Sequence, residues 1–108
     1  MDNIKRLRAK HDISQEELAR LLGASWPTIS RWERGVAQPA ADAENRLRRF
    51  VELGQRVGDA LPKGELCRFL LTPSPLLRGY EPRDLLGSAY AFEDLLDFVE
   101  AAKSGDMV

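Results

Sequence analysis

Residues 14–35 read SQEELARLLGASWPTISRWERG, and the spacing inside this stretch decides the fold. Ser14 stands where it can cap a helix, and Glu17, three residues on, can answer it. That S-x-x-E arrangement satisfies two otherwise orphaned amides reciprocally. Leu18, Ala19, Leu21 and Leu22 follow at helical spacing and give one apolar face. Gly23 can take the left-handed conformation that ends such a helix. Ser25 offers a second cap, Ile29 and Trp32 form the inner face of the next helix, and Gly35 closes it. The stretch therefore predicts helices over 15–22 and 26–33 joined by a tight turn. Helices this short are not stable alone, so their inner faces must pack on neighbours.

The polar remainder of the second helix (Trp26, Pro27, Thr28, Ser30, Arg31, Arg34) is left facing outward. That is the layout of a recognition helix offered to the DNA major groove. On the N-terminal side, residues 3–11 read as a first helix, with Ile4, Leu7 and His11 on one face and Lys5, Arg6 and Lys10 mainly on the other. Arg8 lies beside the inner face. On the C-terminal side, Pro39 interrupts the chain, and a helix from about Ala40 to Val57 follows, with Ala43, Leu47, Phe50, Val51 and Val57 at compatible spacing. Leu47 and Phe50 are placed to close a core beneath Trp32.

Gly54, Gly58 and Leu61-Pro62 mark a change of character and place a domain boundary near 58–62. Beyond it the pattern predicts a helix over 64–71, a short turn over 75–78, a helix over 82–87 opened by Pro82, and a helix over 89–103 ended by Gly105. This segment is short and lacks disulfides and metal ligands, yet it is rich in large apolar residues. Pieces that small rarely bury enough surface alone, so it must pack on its own copy or on another protein. Leu76, Leu77, Leu85, Leu86, Phe92, Leu95, Leu96 and Val99 are the residues assigned to that contact. The expected architecture is all-α: a four-to-five-helix domain over 1–58 and a small helical domain over 62–106.

The 108 residues are 44% hydrophobic and 31% charged, an ordinary globular composition. No apolar run approaches the ~20 residues of a membrane span, and the N-terminus lacks a signal-peptide core, which points to the cytoplasm. Residues 1–56 carry 11 Lys/Arg against 8 Asp/Glu, net +3, whereas residues 57–108 carry 5 against 9, net −4. Two halves of opposite sign suggest two surfaces with different partners. Cys67, alone, reads as a small buried hydrophobe. The single histidine, the absence of a Cys/His cluster and the absence of a glycine-rich loop after a strand argue against an enzyme, a metal or a cofactor. Glu93, Asp94, Asp97 and Glu100 read as a solvated helix face, whose functional alternative is a match to a basic partner surface.

Residues 1–57 resemble the Xre or lambda-repressor-like helix-turn-helix family through SQEELARLLGAS and TISRWERG. The resemblance implies that Gln15 contacts phosphate, and that Trp26, Pro27, Thr28 and Arg31 supply base contacts. It also implies a scaffold ion pair between Arg8 and Glu33. Pro27 disfavours helical angles at Trp26, so the helix is expected to start one residue late. Trp26 would then be either an apolar wedge against a thymine methyl or a residue packed on its own protein. Residues 65–105 resemble the toxin-binding domain of Xre/MbcA/ParS-type antitoxins through FL-x-TP-x-P-x-L-x-G-x-x-P-x-DLL and a closing amphipathic helix. Phe69 stands where that family more often has tryptophan, and the arginine-rich helix end is missing. This second resemblance implies a homodimer and a toxin partner, typically a RES-domain enzyme that consumes NAD, in an antitoxin that represses its own operon. With or without a toxin, the dimer is expected on a pseudo-palindromic operator. A stand-alone repressor, whose C-terminal helices serve only dimerisation, is the alternative. An inhibitor with a vestigial DNA domain fits less well, because the helix-turn-helix is intact.

Overall fold

The helix over residues 15–22 starts and stops at the caps written in the sequence. The structure, a computed structural model, describes residues 4–57 and 61–104. These residues are all-α: α1 (Ile4–His11), α2 (Gln15–Leu22), α3 (Trp26–Glu33), α4 (Ala41–Val57), α5 (Glu65–Leu70) and α6 (Ala89–Ser104). Two 3-10 helices, Pro75–Leu77 and Pro82–Gly87, lie between α5 and α6. The expected boundary falls partly on residues 58–60, which lie outside the described residues, as do Asn3 and the expected terminator Gly105.

At the start of α2 the Glu17 amide donates to Ser14 Oγ at 3.0 Å, and the Ser14 amide donates to Glu17 Oε1 at 2.8 Å. Gly23 ends the helix at φ 68°, a conformation costly for any residue with a Cβ. Two local expectations are corrected. Ser25 makes no side-chain cap bond; its hydroxyl pairs with Thr28 Oγ1 at 3.0 Å instead. And α3 begins at Trp26 itself, not one residue late, with Pro27 in the first turn, where a missing N–H leaves nothing unsatisfied. The helix expected over 82–87 is a 3-10 helix, the tighter form that suits a piece of six residues.

One apolar core runs through both halves. Leu18, Leu21, Ile29, Leu47, Phe50 and Leu53 are fully buried, and Leu70, Leu86 and Leu95 join the same cluster. α5 packs on α2, and α6 packs on α4 and on the second 3-10 helix. The C-terminal segment, expected to need its own copy or another protein, thus has a partner within the chain: the long apolar face of α4. Polar ties reinforce the seam. Arg49 Nη1 donates to the Leu86 carbonyl at 2.8 Å, and Arg83 Nη1 donates to the Arg20 carbonyl at 2.9 Å. Cys67 is buried, and its thiol is pushed up to about 11, chiefly by burial, with Glu17 adding and Arg20 opposing. It stays protonated and unreactive at neutral pH.

Candidate nucleic-acid interface

α3 is anchored from below and at its C-terminal end. Ile29 is fully buried and Trp32 packs half-buried against the core. Arg8 on α1 forks onto Glu33: Nε donates to Oε2 at 2.6 Å and Nη2 to Oε1 at 3.2 Å. Its Nη1 donates to the Ile13 carbonyl at 3.2 Å. Gln15, at the start of α2, adds a bond from Nε2 to Glu33 Oε1 at 2.9 Å. The Glu33 side chain is only 4% exposed. The Arg8 hydrogen bonds hold its carboxyl below the ordinary glutamate range against the opposing effect of burial, helped by Gln15 and by the charges of Arg8 and Lys5. One carboxylate thereby pins three helices.

The opposite side of α3 faces solvent. Trp26 is 53% exposed, Arg31 and Arg34 are exposed, and Pro27, Thr28 and Ser30 are half-buried. Trp26 forms one wall of an open notch of about 480 Å³, whose other walls are Arg8, Ser14, Gln15 and Glu16. Of the residues expected at DNA, Gln15 and Trp26 share this notch, and Thr28 and Arg31 touch each other on α3. Gln15, expected at a phosphate, spends one amide hydrogen on Glu33; the second remains for another acceptor. Arg31 Nη2 donates to Thr28 Oγ1 at 3.1 Å. This surface offers a guanidinium fork, hydroxyls and an indole face, the groups that read base edges and thymine methyls. The Ser25–Thr28–Arg31 chain was not foreseen; its signal is the i, i+3, i+6 spacing of three hydrogen-bonding residues.

The C-terminal set is placed differently. Leu86, Phe92, Leu95, Leu96 and Val99 are buried in the chain's own core, and Leu85 packs half-buried against it. Leu77 is half-buried, and only Leu76, at 61%, is exposed. Tyr80 (67% exposed) and Tyr90 (86%), which the sequence reading did not single out, are the larger exposed rings. Tyr90 precedes the apolar stripe of α6, and Glu93, Asp94, Asp97 and Glu100 are exposed along the same helix. No helix among the described residues is long and apolar enough to cross a membrane.

Comparison with known proteins agrees with this geometry. Residues 4–43 match the family model described as helix-turn-helix. The chain is 23% identical over 96 residues to the mycobacterial cidal antitoxin MbcA of Mycobacterium tuberculosis H37Rv, spanning 89% of this chain and 84% of the relative. The match to MbcA of Mycobacterium bovis has the same identity and coverage. Among solved structures, the M. tuberculosis MbcT–MbcA toxin–antitoxin complex contains a chain that superposes with a TM-score of 0.70 at 21% identity, covering 96% of this chain and 93% of that one. Residues 4–43 are thus a helix-turn-helix, carried in a chain whose whole fold is shared with that structure.

Proposed function

We propose that this chain is the DNA-binding antitoxin of a type II toxin–antitoxin pair, repressing its own operon through α3 and neutralising a toxin through its C-terminal half. The observation that carries the reading is that the likeness to MbcA, and to a chain of the MbcT–MbcA structure, spans both halves and not the helix-turn-helix alone. A two-fold dimer would set two copies of α3 about one DNA turn (~34 Å) apart on a pseudo-palindrome. The work is cytoplasmic and needs no catalysis by this chain. The partner is a toxin of the RES-domain class that the family resemblance implies.

Expression of the protein encoded beside this one, alone and together with this chain, tests the proposal. Growth arrest by the neighbour, relieved by this chain, is the expected result. A neighbour that is harmless, or one that still arrests growth beside this chain, contradicts it. One observation favours the second reading, a stand-alone repressor: most of the apolar C-terminal residues are already buried within the monomer. That reading predicts operator binding without any protein partner.

A further inference from the structure

A chain of side-chain hydrogen bonds runs from the cap position of α3 along its outer side. Ser25 stands at the cap position but leaves the helix amides without its hydroxyl, which pairs with Thr28 Oγ1 at 3.0 Å. Thr28 Oγ1 in turn accepts from Arg31 Nη2 at 3.1 Å. The three residues run along the solvent-facing side of the helix, and among the described residues no acidic side chain takes the Arg31 fork; the Glu33 carboxylate is turned inward to Arg8. A hydroxyl offers one hydrogen and two lone pairs, and either hydroxyl of the Ser25–Thr28 pair can donate; in both cases at least one lone pair of Thr28 Oγ1 is left for Arg31.

We propose that Thr28 is a positioning residue for DNA reading: it touches no base itself, and it holds Arg31 in the orientation that forks onto a guanine. This deepens the DNA-binding reading above and rests on it. An exposed arginine otherwise spreads over many rotamers, and fixing it on DNA costs side-chain entropy. The bond to Thr28 meets part of that cost before DNA arrives. It uses one of five N–H donors, and four remain for O6 and N7 of the base. The arrangement also separates two roles that sequence spacing alone merges, since both residues lie on the outer face of one helix.

The test is a double-mutant cycle on the full chain, with a duplex selected by the wild-type protein from a random-sequence pool. Thr28→Val keeps the shape and removes the hydroxyl; it should weaken binding about three- to tenfold, the scale of one net hydrogen bond. It should also flatten the preference at a single base pair, whereas Thr28→Ser restores both. In an Arg31→Ala background, Thr28→Val should cost nothing further. An unchanged affinity for Thr28→Val overturns the proposal, and so does an equal loss with and without Arg31, which would make Thr28 a direct contact. If Arg31→Ala alone binds like wild type, the docking of α3 fails and this inference fails with it. Helical circular dichroism melts of each variant separate loss of reading from loss of folding.

Discussion

Glu33 is a carboxylate taken almost wholly out of solvent and held by Arg8 and Gln15. Arg8→Ala would strand that charge, and the expected destabilisation is about 3 kcal/mol, read from the urea midpoint at pH 7. Two pH effects follow from the sign of the shifts. The Glu33 carboxyl is held below its ordinary value, so its contribution is complete above about pH 4.5 and is lost as pH falls through the folded value. The His11 imidazole is lowered by burial first and by Lys10 second, so the unfolded chain protonates more readily than the folded one. Stability should therefore fall as pH drops below 6.5, earlier than the Glu33 effect. His11→Gln should flatten the upper slope and Glu33→Gln the lower one, in denaturation midpoints measured across pH. Arg8 and Glu33 were legible in the sequence because a resemblance carried them. His11 was legible only as an inner-face residue; its stacking on Phe50, with ring centroids 4.9 Å apart, depends on how α1 meets α4.

At the level of elements, boundaries set by a bonded cap were readable, because such signals act within a few residues, whereas Pro27 misplaced the start of α3. The capping box of α2 and the turn at Gly23 are of this kind. What spacing did not reveal was the destination of hydroxyls and the approach of one helix to another. Ser25 is a cap by position, yet bonds to Thr28, and nothing local distinguishes the two. Gly54, read as a change of character, is instead buried in α4, where an added Cβ would lie 2.9 Å from His11 Cε1 and 3.1 Å from Nε2. Gly54→Ala should thus destabilise the chain by about 1 kcal/mol, through forced displacement of the ring. In a His11→Ala background the sign should reverse, with Ala gaining about 1 kcal/mol of helix propensity over Gly. Urea midpoints of the four proteins check it.

For the molecule as a whole, the sequence signalled two halves of opposite charge, and the structure joins them through one core. The apolar content of the C-terminal segment led to a partner surface expected on a second copy or another protein, and the structure places that surface on α4 of the same chain. Period and composition do not say whose surface it is. The two tryptophans lie at 26 and 32, so their fluorescence reports the N-terminal half alone. Leu95→Ala, in the C-terminal half, should cost about 2–5 kcal/mol and lower the tryptophan-reported midpoint. A fluorescence midpoint that does not move would show that the proposed boundary at 58–62 separates two independently unfolding units. The dual role itself is tested most directly by native mass spectrometry of the full chain mixed with the duplex upstream of its own gene and with the protein of the adjoining gene. One assembly containing two copies of this chain, one duplex and the neighbouring protein is the expected result. A chain that binds the duplex and leaves the neighbouring protein free, or that binds neither, contradicts it.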